Sequence, residues 1–504
     1  TPKPLYIQKA LQEEQNNIRK VKSLSNCPIP NTKLAPSHTS TLRLSMSSSS
    51  LQSQKPGKIT NNKVLPLFAS QCQVQSLPEK DTFFTKAFDT IQSIMQPPET
   101  TTSWIAKKMK AKFSHFVQDL KQPQPILMDK RIVVVGVHGW FPMKLVRSMI
   151  GEPTGTSIKF CEQMALAVRT YFETEHKVML PLDAITCVPL EGEGKIEDRV
   201  NQLYTKLIEN SVWLEAVSSA DVILWATHSQ GTPVSIMLLQ RLLERGHVQL
   251  IRQSVCMLAM AGISHGPFPA LKKSLIVKYF EADAARELFE FMDSSSSIST
   301  KFRQSLEYIL TCGIKLVLTG SMQDQVVPLY SAILHAVDHP NILRSIYIDG
   351  HIFSEDDFLI NLIVFCFKLR NTGLSDHDLI IHLSQVLAGS LYALEGGHST
   401  VYEELQVYLT AVQYMFETAP FGPCVRQQDR MQYKMDPFQA KLQPNPYYLP
   451  WALHSMFTDP MILANEGLKA DLKHLLFLFD QWQPTPTRLR ELKFRLEPLL
   501  TLHL

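Results

Sequence analysis

Short apolar runs alternate with helical patterns between residues 131 and 348. Six apolar runs have the length of strands and cover residues 132–137, 184–188, 221–226, 253–261, 315–319 and 344–348; the first is also β-branched except for Gly136. Helical periodicity fills residues 157–172, 199–220, 232–245 and 329–337, and residues 264–310 are a mostly helical insertion. Strands that alternate with helices predict an α/β fold, with a mostly parallel sheet covered by helices on both faces.

The flanking segments predict four regions in the chain. Residues 1–80 are polar and contain a serine run, which predicts a disordered tail. Residues 81–125 predict a helical lead-in, and residues 126–424 form the α/β domain with its helical insertions. Residues 425–504 predict an irregular, proline-containing connection followed by C-terminal helices.

The helical lead-in contains a basic amphipathic segment at residues 104–120. Ile105, Met109, Phe113 and Phe116 fall on one helical face, and lysines crowd the other faces. Such a helix packs its apolar stripe on its own protein or lies on an anionic membrane surface. The sequence leaves both interpretations open.

Composition and charge restrict the class of protein. The 504 residues are 45% hydrophobic and 19% charged, which suits a globular protein with a large core. The net charge of +3 and the absence of any recognisable nucleic-acid-binding motif argue against a nucleic-acid partner. No run is apolar over the length of a membrane-spanning helix, no secretory signal is visible, and no residues have the spacing of a metal or cofactor site.

The eight cysteines are scattered singly along the chain. Cys187, Cys256 and Cys366 sit inside apolar runs, so we expect buried free thiols and no disulfide framework. The sequence therefore predicts an intracellular protein, either cytoplasmic or peripherally attached to a membrane.

Ser229 carries the most informative chemistry. It lies in Thr-His-Ser-Gln-Gly at residues 227–231, directly between a predicted buried strand and a predicted helix. A serine on a tight turn between strand and helix resembles the nucleophile elbow of α/β-hydrolases. Such a turn lifts a hydroxyl above the sheet, where a base can activate it.

Two further segments, and a histidine base in either of two places, follow the chain order that such a site requires. His138-Gly139-Trp140 ends the first predicted strand, and Asp324 follows the fifth strand in a Gly-Ser-Met-Gln-Asp-Gln-Val-Val-Pro loop. Asp324 is also compatible with a helix cap. Four separate parts at strand ends argue for one site, since the carboxyl ends of parallel strands share an edge.

Two histidines are candidates for the base. His351 follows the sixth strand immediately, and His398 lies in Glu-Gly-Gly-His-Ser-Thr at residues 395–400. Thr400 with Glu403 has the pattern of a capping box that opens a helix, and a Gly-His step before a helix favours His398. Both candidates stay open at this point.

Together these motifs resemble lipase-like serine hydrolases of the α/β-hydrolase family, and most of all a group of fungal lipase-like proteins of unknown function that carry His-Gly-Trp-Phe-Pro and Thr-His-Ser-Gln-Gly. The resemblance spans about residues 130–420 and implies the α/β-hydrolase fold. It implies that backbone N–H groups of Trp140 and Gln230 form the oxyanion hole, and that Ser229, Asp324 and the base form a triad. Phe268, Leu275, Ile276, Tyr279 and Phe280, in the helical insertion, are candidates for an acyl pocket or for ordinary core.

The resemblance predicts an enzyme that cleaves a carboxylic ester, with a lipid-like substrate. A thioesterase or acyltransferase with the same triad is one alternative. A non-catalytic binding or scaffold protein on the same fold is another, because fold and motif alone do not establish activity.

Overall fold

The strand Val222–His228 leads to the candidate serine and lies in the interior of a seven-stranded sheet. The computed structural model describes residues 62–68, 131–139, 155–273, 282–387, 397–418, 434–440, 445 and 447–498. The strands of the sheet are β1 (Lys63–Leu65), β2 (Ile132–Val137), β3 (Ile185–Leu190), β4 (Val222–His228), β5 (Ser254–Met260), β6 (Lys315–Ser321) and β8 (Ile342–Ile348). Across the sheet they lie in the order β1-β8-β6-β5-β4-β2-β3. All neighbouring strands are parallel except β1, which pairs antiparallel with β8.

Helices connect the parallel strands and extend the fold beyond the last one. Those within the sheet region are α1 (Thr156–His176), α2 (Ile196–Glu209), α3 (Ser211–Ser219), α4 (Gly231–Glu244), α5 (Ala282–Glu290), α6 (Ser297–Thr311) and α7 (Leu329–Ala332). Those after the sheet are α8 (Phe358–Asn371), α9 (Leu379–Leu387), α10 (Leu405–Glu417), α11 (Tyr448–Thr458), α12 (Pro460–Leu463), α13 (Glu466–Gln481) and α14 (Thr487–Leu496). A two-stranded ribbon pairs β7 (Val337–Asp338) with β9 (Lys434–Met435).

Burial on both faces of the sheet confirms the predicted architecture. Every residue of β2 is buried. Val133 and Val135 pack into one apolar cluster, and Ile132 and Val134 pack into a second cluster on the opposite face. Since successive side chains of a strand point to opposite faces, helices must cover both sides of the sheet.

Two predicted helices differ from the observed ones. The segment 199–220 is two helices, because Asn210 breaks the first and its side chain accepts the Trp213 N–H at 3.1 Å to cap the second. The segment 329–337 is helical only to Ala332, and Leu334 has a φ of 52°. A left-handed residue ends an α-helix, so the chain leaves α7 after one turn.

Part of the predicted disordered tail is an ordered strand, which corrects that prediction for residues 62–68. Strand β1 pairs with β8, and Val64 and Phe68 are buried. A run of three residues is too short to predict a strand from sequence. This strand is ordered because it pairs with the edge of the sheet. The basic segment 104–120 lies outside the described residues.

The cysteine prediction needs one correction. Cys256 and Cys366 are buried free thiols, whereas Cys187 is free but exposed. Cys187 lies on β3, an edge strand of the sheet, where it is more accessible than a thiol on a central strand. Across the described ranges, no helix is both long enough and apolar enough to cross a membrane.

Helix α10 is fastened to the sheet by Lys315, the first residue of β6. The ammonium group is buried and donates to the carbonyl oxygens of Tyr414 at 3.0 Å and Met415 at 2.9 Å. These carbonyls belong to the last turn of α10, where the helix dipole favours a positive charge. The contact holds the helix that follows the His398 loop against the sheet core.

Candidate active site

Ser229 occupies a strained turn at the end of β4. Its φ is 54°, in the left-handed region that residues other than glycine rarely adopt. The residue is buried, and the Ser229 N–H donates to the Met260 carbonyl at 3.1 Å, which ties the turn to β5. Helix α4 begins two residues later. Strand, strained serine and helix therefore occur in the order that the sequence predicts.

The His138–Gly139 segment runs directly over this turn. A Cβ on Gly139 would lie 2.9 Å from the Cβ of Ser229 and 3.2 Å from Nδ1 of His228. Only a glycine allows this approach without displacing a neighbour. The close approach brings the end of β2 to the candidate nucleophile. Trp140, the predicted oxyanion donor on this loop, lies outside the described residues.

Asp324 lies in the loop after β6, and its side chain is only 1% exposed. One carboxylate oxygen accepts the backbone N–H groups of Val326 at 2.7 Å and Val327 at 2.9 Å. The other accepts Nδ1–H of His398 at 2.8 Å. The carboxylate is not a helix cap, because α7 begins at Leu329 with Pro328 as its N-cap residue.

His398 lies on a loop that packs against the Asp324 loop. A Cβ on Gly397 would lie 2.2 Å from the Gln323 carbonyl oxygen, so the two backbones are in direct contact. The imidazole is 20% exposed. A carboxylate on Nδ1 fixes the tautomer that leaves a lone pair on Nε2. This arrangement suits a general base.

The predicted capping box after His398 is wrong. Residues Thr400–Tyr402 form a short 3-10 helix, and α10 is capped instead by Glu404, whose side chain accepts the Gln406 N–H. The Glu403 carboxylate pairs with Lys159 across to α1. The Glu403 carboxylate therefore forms an ion pair with a residue distant in sequence, although the local pattern predicts that it caps the helix.

His351 lies apart from the carboxylate of Asp324. It is exposed in the turn after β8, where its backbone N–H donates to Asp349 at 2.9 Å. The structure brings His398, and not His351, against the acid. Of the two candidates that the sequence leaves open, the geometry favours His398.

His228, which the sequence analysis did not select, holds the His398 loop in place. Its Nε2–H donates to the backbone carbonyl of His398 at 2.8 Å, and its ring lies 4.5 Å from the His398 ring. Burial, and next the neighbouring His398, keep the pKa of His228 well below 6.5. The ring is therefore neutral at physiological pH and adds no charge beside His398.

Arg199 contacts Gln230, which follows Ser229, and His138, which precedes Gly139. This buried guanidinium donates to the Gln230 side chain and to the His138 carbonyl, both at 2.8 Å. The Gln230 amide also donates to the Gly194 carbonyl at 3.1 Å. Gln230 is itself buried at the N-terminus of α4, where backbone N–H groups lack partners within the helix. No local pattern in the sequence distinguishes Arg199 from the other cations of an amphipathic helix.

His138 is a buried neutral group beside the candidate site. Its Nδ1–H donates to the Gly139 carbonyl at 2.5 Å, and its backbone N–H donates to Ser157 Oγ at 3.1 Å. Burial, and next the charge of Arg199, lower the pKa of His138 to about 4. The described residues contain no group of three His, Cys, Asp or Glu side chains placed to hold a metal ion.

The candidate acyl-pocket residues are only partly described. Phe268 is buried, and its N–H donates to the Val326 carbonyl at 2.9 Å beside the acid loop. The other four lie in residues 274–281, outside the described part of the chain. A cavity of about 640 Å³ lies elsewhere, between Tyr330, His335, Arg370 and Tyr448, and none of the candidate catalytic residues lines it.

Solved structures with some similarity include lipolytic proteins, all at low identity. The product of the gene lin2722 from Listeria innocua is 10% identical, with 44% of this chain and 85% of that one covered and a TM-score of 0.25. A structure from work on LipS and LipT, two metagenome-derived lipolytic enzymes, is 12% identical, with 47% and 91% covered and a TM-score of 0.25. Phospholipase PlaB from Legionella pneumophila is 11% identical, with 57% and 63% covered and a TM-score of 0.27.

TM-scores at this level carry no argument about what this chain does. Comparison with curated proteins finds no match. The similarity to fungal lipase-like proteins stays a prediction. A family model described as the YMC0/YMC35 alpha/beta hydrolase domain matches residues 84–460, which include the whole sheet after β1 and every candidate catalytic residue. The chain belongs to the YMC0/YMC35 alpha/beta hydrolase family.

Proposed function

We propose that this protein is a serine hydrolase that cleaves carboxylic esters through Ser229, His398 and Asp324. The observation that carries the proposal is the 2.8 Å hydrogen bond from His398 Nδ1 to a buried Asp324 carboxylate, on loops next to a serine in a strained turn. Serine, acid and base occur in the chain order typical of α/β-hydrolases.

The proposed reaction has two steps. His398 Nε2 takes the Ser229 proton while Oγ attacks the ester carbonyl, and the same proton then passes to the leaving alcohol as the C–O bond breaks. Water, deprotonated by His398, next attacks the acyl-enzyme, and the proton returns to Ser229 as the acid leaves. Asp324 stabilises the imidazolium in both steps. The backbone N–H groups of Gln230 and Trp140 are the proposed donors to the oxyanion.

A lipid-like acyl chain is the proposed substrate class. It rests on the resemblance of the His-Gly-Trp and Thr-His-Ser-Gln-Gly motifs to those of lipases, and the buried Phe268 beside the acid loop is a candidate lining residue. In a hydrophobic pocket, one additional methylene of the acyl chain can change kcat/KM by roughly tenfold or more. We therefore expect activity to rise with acyl length over short p-nitrophenyl esters.

Hydrolysis of p-nitrophenyl acetate, butyrate, octanoate and palmitate by the wild type and by Ser229→Ala tests the proposal. The wild type should release p-nitrophenol with a preference for longer chains, and Ser229→Ala should lose several orders of magnitude in kcat. Ser235→Ala, a buried serine on α4 that accepts the Trp225 N–H, is the matched control. Hydrolysis that persists in Ser229→Ala would overturn the proposal, and folded wild type that hydrolyses none of these esters would favour a binding protein on this fold.

We place the protein inside the cell, in the cytoplasm or at a membrane surface. Five free cysteines among the described residues support a reducing compartment. The membrane contact through residues 104–120 rests on the amphipathic pattern alone. Binding of a synthetic peptide of those residues to anionic vesicles, compared with neutral ones, tests it.

A further inference from the structure

Arg199 is the most deeply buried charge beside the candidate site. The residue is 1% exposed in the first turn of α2, and its Nε has no hydrogen-bond partner. Among the described residues, no carboxylate forms an ion pair with it. Burial lowers the pKa of Arg199 to about 10, partly offset by Glu193, so the group stays charged at neutral pH. A buried cation without a carboxylate partner is costly to the folded state.

The two contacts that Arg199 makes converge on one place. One arm donates to the His138 carbonyl at 2.8 Å, and the other to Gln230 Oε1 at 2.8 Å. His138 begins the loop that passes over Ser229, and Gln230 follows Ser229 directly. The guanidinium thus joins the segment that contains His138 to the segment that contains Gln230, on either side of the candidate nucleophile.

From these contacts we infer, on the basis of the proposed function, that Arg199 is a positioning residue of the oxyanion hole and that its charge stabilises the tetrahedral oxyanion. The side chain holds the His138 carbonyl and the Gln230 side chain together before substrate arrives. Its positive charge lies in a water-poor interior, where electrostatic attraction to a developing negative charge is much stronger than in water. The ester in its ground state carries no such charge, so the stabilisation acts in the transition state.

A purely structural latch is the alternative role for the same contacts. A latch requires hydrogen bonds and shape but no charge, whereas oxyanion stabilisation requires the charge. Arg199→Lys keeps the charge in a shorter side chain, and Arg199→Gln keeps a polar group without charge. The comparison of these two variants separates the roles.

The experiment measures kcat and KM for a p-nitrophenyl ester, and the affinity for an alkyl boronic acid. A boronic acid adds to a serine hydroxyl and forms a tetrahedral anion, so it probes the charged state directly. We expect Arg199→Gln to lower kcat about 30- to 100-fold with KM changed less than about threefold, since a directly donating oxyanion group costs about 100- to 1,000-fold. The affinity of Arg199→Gln for the boronic acid should fall by a similar factor. Both kcat and this affinity should be about tenfold higher in Arg199→Lys than in Arg199→Gln.

Controls keep the result interpretable. Arg344→Met removes another fully buried arginine, which donates to the Ile333 carbonyl at 3.0 Å, and should lower stability but leave kcat per folded molecule unchanged. If Arg199→Gln does not fold, Arg199→Met takes its place as the uncharged variant. Equal losses in the Lys variant and the uncharged variant, or unchanged boronic acid affinity, would overturn the inference. Failure of the proposed function is a distinguishable outcome, because hydrolysis would then persist in Ser229→Ala.

Discussion

Nδ1 of His398 donates a 2.8 Å hydrogen bond to Oδ2 of Asp324, across 74 residues of sequence. The carboxylate is held from its other side by two backbone N–H groups, and the two loops touch through Gly397. The acid is thereby fixed before any substrate binds. The pairing accounts for an imidazole with one defined tautomer.

Replacement of Asp324 by asparagine should lower kcat by about three to four orders of magnitude. The amide keeps the size of the carboxylate, but it removes the charge and favours the wrong His398 tautomer. Measured kcat for ester hydrolysis tests this. Asp349→Asn, in the exposed turn beside His351, is the matched control and should change kcat less than twofold. Comparable losses in both variants would favour His351 as the base.

His228 should matter through the loop that it anchors. His228→Phe removes the donor to the His398 carbonyl but keeps a ring of similar size, and the loss of one hydrogen bond is worth about 1 kcal/mol. We expect kcat to fall about fivefold, with a partial return in His228→Gln, whose amide N–H can donate to the same carbonyl. Wild-type kcat in the Phe variant would show that the hydrogen bond does not position the base.

Gly397→Ala should separate the base loop from the acid loop. The new Cβ would lie 2.2 Å from a backbone oxygen of Gln323, so one of the loops must shift. A displacement of about 1 Å in a catalytic group can cost about 100-fold in rate. The comparison variant is Gly467→Ala in α13, where the nearest atom lies 3.3 Å away, and it should leave kcat unchanged. Retained activity in Gly397→Ala would mean that the loop contact is not needed.

The free energy of unfolding should fall as the pH drops below 6.5. His265 is buried, and burial, with a smaller effect of His335, lowers its pKa to about 3. The unfolded chain binds this proton near pH 6.5 and the folded chain does not, so the stabilisation is complete above pH 6.5 and declines towards pH 3. The lowered pKa of His138 changes the free energy of unfolding with pH in the same direction.

Urea unfolding at pH 7, 6 and 5 measures this effect. The slope from one such histidine is about 1.4 kcal/mol per pH unit, so His265→Gln should reduce the stability lost between pH 7 and 5 by about 2 kcal/mol. The Gln variant is less stable at pH 7, because His265 Nε2 accepts the Ala336 N–H at 3.3 Å and stacks on Phe438. An unchanged pH dependence in the variant would contradict the assignment of His265 as a buried neutral group.

The sequence predicts most of the sheet because its strands are short, nearly continuous apolar runs. Strand β2 has the predicted bounds, and β4 extends two residues further, to His228. Strand β1 is missed because its three residues gain order only from pairing with β8. Helix ends are predicted less well where one side chain decides them, as Asn210 does.

Within the site, local motifs identify Ser229 and Asp324, but they do not decide between His398 and His351. That choice depends on which loop packs on the Asp324 loop, and the Gly397 contact with Gln323 is a property of the fold. The roles of Arg199 and His228 depend on contacts across 61 and 170 residues, respectively. No sequence window contains both partners of such contacts.

Labelling with a fluorophosphonate, followed by mass-spectrometric mapping of the modified peptide, tests the central claim most directly. One adduct on Ser229 is expected in the wild type, with the labelling rate lowered at least about 1,000-fold in His398→Ala and nearly unchanged in His351→Ala. Folded wild-type protein that takes up no label, or takes it up at a residue other than 229, would contradict a catalytic role for this serine.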